Sequence, residues 1–274
     1  MKTVIRFMKS FGVKINRLKE LFEVPKSSLY EMLKEKEHKD HLLIERIRKI
    51  AYEFPFYGYR RIYRTLKRDG FNINYKKVYR IYRLLNLERK NRKMKSSVHS
   101  STSSFTYSSL DQRNKLWSVD FIHDSLAIGK GIRILIIMDI FTRKVVGYRI
   151  DTSIGGNGVT ELLKASIEEN GKPEVIRTDN GPEFISRVLD GFLFKERIKH
   201  EFIEKGKPYQ NGYIESFMDK IRNECLNLYL FRTIYEVRTN INRYIDYYNT
   251  GRPHSTIGYE APIVFNENLY TIKL

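Results

Sequence analysis

IRILIIMDIFTRKVVGYRI, residues 132–150, decides how this chain is read. Its first half is an almost unbroken apolar run. A strand of that kind is buried on both faces and so lies in the middle of a covered sheet. Residues 141–144 turn the chain and a second strand follows. Upstream, LWSVDFIHDSLAI (residues 116–128) reads as a strand with Asp120 in its interior. Downstream, the patterning predicts a helix over 158–169, a strand over 174–178, a helix over 183–197, a short strand over 200–204 and then another helix. Three strands, helix, strand, helix, strand, helix is the order of an α/β layered fold with a mixed five-stranded sheet flanked by helices.

Ahead of this region the period is helical and the charge changes. Residues 1–100 hold 27 Lys and Arg against 10 Asp and Glu, whereas residues 101–274 hold 23 against 22. A cationic front of this size attracts a polyanion largely without regard to its sequence. In residues 17–34, Leu18, Leu21 and Phe22 form one apolar stripe, and Pro25 and Ser27 restart a helix carrying Leu29 and Leu33. In residues 58–87, Ile62 and Leu66 share a face, Asp69-Gly70 stops the helix, and Asn74 caps a second one. That second helix turns Val78, Ile81 and Leu85 inward and leaves Lys76, Lys77, Arg80 and Arg83 for solvent or phosphate. Two helices on a short turn, the second basic and aromatic-rich, make a helix-turn-helix pattern. Ten of the fifteen residues in 96–110 are Ser or Thr, which marks a flexible linker. The expected organisation is therefore a basic helical DNA-binding region over 1–95, a linker over 96–110, and an α/β core with a helical extension over 111–274.

Several classes are excluded by composition. No stretch approaches the roughly 18 consecutive apolar residues of a membrane span, and no secretory signal is evident, so a cytoplasmic protein is expected. The single cysteine, Cys225, cannot form an internal disulfide or complete a Cys-rich zinc site.

Three acids stand out by position. Asp120 lies inside the first core strand, and Asp179 sits at the tip of the strand in VIRTDNGPEF (residues 175–184), where open α/β sheets place ligands. The third is Glu215 in GKPYQNGYIESFMDKIRNECLNL (residues 206–228), where Ile214, Phe217, Ile221, Cys225 and Leu228 trace the buried stripe of a helix. Glu215 is about 100° round from Ile214, at the edge of that stripe. Taken singly, each acid has a plain structural alternative: an edge residue, a turn former, a solvated helix position. Together, three carboxylates without histidine or cysteine ligands suit a hard divalent cation such as Mg²⁺. Asp124, Asp139 and Trp117 are read as structural.

With WSVDF (117–121), RTDNGPEF (177–184), NGYIESF (211–217) and YNTGRPHSTIGYEAP (248–262) on the page, the chain resembles the bacterial insertion-sequence transposases with a retroviral-integrase-like core, in the family encoded by two overlapping reading frames. Asp179 and Glu215 have 35 residues between them, the interval of that family, and Arg222 stands seven residues after the glutamate, where the family has Lys or Arg. The resemblance implies an RNase H-like core in which Asp120, Asp179 and Glu215 hold two Mg²⁺ or Mn²⁺ ions for DNA cleavage and strand transfer. It further implies a DNA-contacting loop at Lys207, Gln210 and Asn211, a phosphate contact at Arg222, and double-stranded DNA, both element ends and target, as partner. A homo-oligomer on DNA, an upstream-frame product as fusion or partner, and a nucleoid-associated location are also implied. A non-catalytic DNA-binding regulator is the rival reading. Arg252 and His254 match the C-terminal motif without suggesting a mechanism.

Overall fold

The computed structural model describes residues 1–33, 40–88, 111–204 and 206–271. The chain separates into two compact units, residues 1–92 and 93–274. The Ser/Thr-rich stretch 96–110 lies outside the described residues. Among those described, no helix is long and apolar enough to cross a membrane.

The first unit is helical: α1 (Lys2–Ser10), α2 (Ile15–Phe22), α3 (Lys26–Leu33), α4 (His41–Glu53), α5 (Tyr59–Arg68) and α6 (Tyr75–Leu84). α1 to α3 close around Ile5, Leu18 and Leu29. Leu21, placed on that stripe by its spacing, is instead 49% exposed. Ile62 and Leu66 of α5 and Val78 and Ile81 of α6 are buried as their period predicts. Asn74 caps α6, its side chain accepting from the Lys76 amide at 2.9 Å. Leu85 is only half-buried, because α6 ends at Leu84 and Leu85 is its C-cap.

The second unit runs β1 (Leu116–Ser125), β2 (Gly131–Asp139), β3 (Val145–Asp151), α7 (Gly156–Asn170), β4 (Val175–Thr178), α8 (Arg187–Glu196), β5 (Lys199–Phe202), a 3₁₀ turn (Pro208–Asn211), α9 (Gly212–Glu224), α10 (Ile234–Thr250) and α11 (Pro262–Thr271). The sheet order is β3-β2-β1-β4-β5, with β1 antiparallel to β2 and parallel to β4. This is the mixed five-stranded sheet of an RNase H-like core. β2 divides its apolar run between the faces: Ile134, Ile136 and Met138 join the helices α9 and α10 on one side, and Leu135 and Ile137 join α7 and α8 on the other.

Two element boundaries move. The helix expected from Glu183 begins at Arg187, since Ser186 caps it through the Leu189 amide and residues 182–185 turn instead. α9 stops at Glu224, so Leu228 falls in the following 3₁₀ turn and is 47% exposed, while Leu226 takes the buried place.

Gly147 of β3 carries α7 at close range, for a Cβ there would stand 2.1 Å from Ser166 Oγ. Overpacking of this kind typically costs about 1–3 kcal/mol. Gly147→Ala should lower the urea midpoint accordingly, without changing the dependence of stability on urea.

Candidate active site

The parallel pairing of β1 with β4 sets the site. Leu116 faces Val175, Trp117 faces Ile176 and Ser118 faces Arg177. The same offset carried two residues further brings Asp179, just past the end of β4, level with Asp120 in β1. Both aspartates line one open pocket of about 480 Å³ together with Phe121, His123, Arg133, Gly181, Pro182 and Glu183. The Asn180-Gly181-Pro182 turn leaves this mouth open. Gly181 donates its amide to Asp179 Oδ1 at 2.9 Å, and a Cβ at Gly181 would meet that oxygen and Glu183 Oε2 at 3.0 Å each. Asn180 anchors the turn to the chain after β5 through the Ile203 carbonyl.

Asp120 is the most perturbed of the three acids. Burial pushes its carboxyl up to about 6, a hydrogen bond from the Phe121 amide works against the rise, and the charges of Asp179 and Glu215 add to it. Glu215 is therefore near enough to act on Asp120 through its field. It sits exposed on the first turn of α9 and does not line the pocket. Its own carboxyl is raised by partial burial and by Asp219 one turn on. Among the described residues, no three His, Cys, Asp or Glu side chains stand close enough to hold one ion. The structure thus brings two of the three acids into one pocket, with the third beside it. The donor chemistry fits a hard divalent cation, as the pocket offers carboxylate oxygens from neighbouring strands.

Other residues take places that spacing alone does not give. Asn211 is buried rather than displayed: its Nδ2 donates to Asp120 Oδ2 at 2.9 Å, and its Oδ1 accepts from the Ser118 hydroxyl. Lys207 and Gln210 both engage Glu204, and the Gln210 carbonyl accepts from Arg177. Arg222, partly exposed, donates to the His123 carbonyl at 3.0 Å. In the first unit Lys76 and Arg80 are exposed, whereas Lys77 pairs with Asp40 at 2.5 Å and Arg83 with Glu88 at 3.1 Å. Asp139 is structural, accepting from the Asn114 and Thr142 amides and the Thr142 hydroxyl. Trp117 is fully buried.

Sequence reasoning passed over Arg133 and Glu183, which form an ion pair at the pocket wall with the Arg133 guanidinium 4.1 Å from the Phe121 ring centre. Burial tends to raise the Glu183 carboxyl, but the Arg133 contact holds it below its usual range. A lone arginine inside the apolar run of β2 was the available signal. Arg252 also finds its role here: it is 1% exposed and grips Glu224 of α9 with two nitrogens, while Tyr244 donates to the same carboxylate.

The sequence and the fold have known counterparts. Residues 111–208 and 196–262 match the integrase core domain family, and residues 37–95 match an HTH-like domain. An insertion element IS407 protein of Burkholderia multivorans, described as an uncharacterized 31.7 kDa protein, is 36% identical over 84% of this chain and 82% of its own length. The putative transposase InsK for insertion sequence element IS150 of Escherichia coli is 26% identical over 93% of this chain and 94% of its own. The chain belongs to the bacterial insertion-sequence transposases. Its fold also matches a simian T-cell lymphotropic virus intasome structure, with a TM-score of 0.50 and 14% identity over 81% of this chain and 74% of that one. As a transposase with an integrase core behind an HTH-like domain, the protein acts in DNA transposition and has DNA as its partner. Integrase-core proteins generally use divalent metal ions.

The raised Asp120 carboxyl gives a signed pH effect. Between its ordinary value near 4 and about 6, the folded state holds a proton that the unfolded state has released, so stability contributed by this group falls as pH rises through that window. In metal-free buffer the stability of the wild type relative to Asp120→Asn should fall by on the order of 2 kcal/mol between pH 4 and pH 7, the constant cost of the new amide cancelling in the comparison. Thermal melts at the two pH values measure it.

Proposed function

We propose that this transposase is a metal-dependent DNA strand-transfer enzyme in which Asp120, Asp179 and Glu215 hold two Mg²⁺ or Mn²⁺ ions. The observation that carries the reading is the pair of aspartates, one within β1 and one just past the end of β4, lining one open pocket. Bound there, divalent cations supply charge stabilisation to the attacking and leaving oxygens of an in-line phosphoryl displacement. The residues do the rest. Asp120 would hold a cation as its carboxylate, so protonation below about pH 6 and cation binding would oppose each other. Gly181 keeps the space against Asp179 open to a phosphate. Glu215 completes the donor set from the first turn of α9. Water and then a DNA 3′-hydroxyl act as nucleophiles, without a covalent protein–DNA intermediate.

In this reading duplex DNA is held at two places. Lys76, Lys77, Arg80 and Arg83 of α6 face the phosphates from the first unit, with Lys76 and Arg80 the most available. Arg222, Lys207 and Gln210 contact the DNA from the second unit. A homo-oligomer on DNA, a cytoplasmic and nucleoid-associated location, and an upstream-frame product as fusion or partner belong to the same proposal.

Nicking and joining of an oligonucleotide carrying the element's terminal repeat tests the chemistry. Asp179→Ala and Glu215→Ala should each lower the rate by at least about a hundredfold, the scale on which charge-stabilising groups act. Undiminished cleavage by Asp179→Ala refutes the assignment. For the DNA grip, Lys76→Ala with Arg80→Ala should flatten the salt dependence of duplex binding by about one unit of slope per residue. An unchanged slope removes α6 from the interface.

A further inference from the structure

Both aspartate-bearing strands reach for the same short segment, the 3₁₀ turn Pro208–Asn211 that leads into the glutamate helix. From β1, Ser118 and Asp120 bond the Asn211 side chain. From β4, Arg177 donates to the Gln210 carbonyl at 2.9 Å while its other nitrogen pairs with Glu201 of β5 at 3.2 Å. Ser118, Arg177 and Asn211 are 1%, 4% and 4% exposed.

The chemistry of Asn211 leaves one orientation. A carboxylate can only accept, so the face toward Asp120 must be the amide NH₂; the amide oxygen then takes the Ser118 hydroxyl proton. The Asp120 carboxylate sets the orientation, and the Ser118 hydroxyl, able to donate or accept, follows it. With Oδ1 of Asp120 held by the Phe121 amide, both carboxylate oxygens have a directed donor. The residue that supplies one of them is also the last residue before α9, four positions ahead of Glu215.

Resting on the metal-dependent reading above, we infer that Asn211 is a positioning residue: it orients the Asp120 carboxylate and ties that orientation to the start of the helix carrying Glu215, with Ser118 anchoring the far end of its amide. It does not touch DNA. A hydrogen bond from a neighbouring side chain that orients a metal-holding carboxylate is typically worth about ten- to a hundredfold in metal affinity or activity.

The test uses the full chain with Mn²⁺ as probe. Binding is measured by calorimetry without DNA, and strand cleavage is measured with kcat and KM separated. Asn211→Ala should weaken Mn²⁺ binding and lower kcat, each within about ten- to a hundredfold, with KM and duplex affinity unchanged. Ser118→Ala keeps the amide but removes the bond that anchors its far end, so it should give a smaller loss of the same kind. The double variant should be no worse than Asn211→Ala alone, because the two act through one contact. Thermal melting identifies any variant that fails to fold, and should Asn211→Ala do so, Ser118→Ala decides. Wild-type Mn²⁺ binding and kcat in a folded Asn211→Ala overturn the inference. So does a loss confined to duplex affinity, which would make Asn211 a DNA contact. Asp179→Ala run alongside separates the two levels: if it still cleaves, the catalytic reading fails; if it is inactive while Asn211→Ala behaves as wild type, only the positioning role fails.

Discussion

Everything in the second unit depends on β1 lying at the centre of its sheet, antiparallel to β2 and parallel to β4. The antiparallel side runs the full length of β1, and the apolar side chains of both strands feed cores on both faces of the sheet. Burial of that many aliphatic side chains is the main favourable term available to the fold. It fixes a backbone that brings two carboxylates together against their mutual repulsion. The cost appears in the Asp120 carboxyl, which burial and its acidic neighbours hold near 6. The Phe121 amide offsets part of it, while Asn211 donates to the other Asp120 oxygen and Gly181 to Asp179. None of these donors is a cation. The one arginine at the pocket wall, Arg133, is engaged by Glu183.

What could be read from the sequence was whatever a local period or a turn expresses. The double-sided strand, the order of elements, the Asn74 cap and the tip position of Asp179 all belong to that class. The interval from Asp179 to Glu215 was legible through resemblance, and it led correctly to the fold. Errors arose where a helical stripe was carried past a cap, as at Leu85 and Leu228, or started before one, as at Glu183. Asn211, Arg177 and Arg252 stayed illegible for a different reason. Their partners lie 91, 33 and 28 residues away, and nothing in a polar loop or a C-terminal motif announces a partner at that distance. Polarity pointed Asn211 outward to DNA. Its two bonds inside the sheet turned it inward.

Charge in the first unit divides in the same way. Its net excess was plain from the sequence, but not which cations were available. Lys77 with Asp40 and Arg46 with Asp69 join residues 37 and 23 positions apart, so these cations hold the unit together before they hold a partner. Such pairs leave the net charge unaltered, and the long-range attraction of a polyanion persists. What changes is the local footprint, which contracts toward exposed positions such as Lys76 and Arg80.

α9 is held near its start, middle and end by side-chain contacts. Asn211 fixes its start, Arg222 reaches the His123 carbonyl on β1, and the Arg252–Glu224 pair with Tyr244 fixes its end. The last of these is a buried ion pair, whose disruption at one partner leaves an uncompensated charge and typically costs about 3–5 kcal/mol. A helix pinned at three points does not slide or rotate cheaply. Glu215 sits between the pins with an exposed side chain. Glu215 stays beside the aspartate pocket on this held helix, and exposed side chains change rotamer within nanoseconds. The fold thus sets Asp120 within β1 and Asp179 just past β4, with Glu215 exposed on the first turn of α9. That arrangement lets three like charges share a neighbourhood without requiring the protein to compress all of them at once.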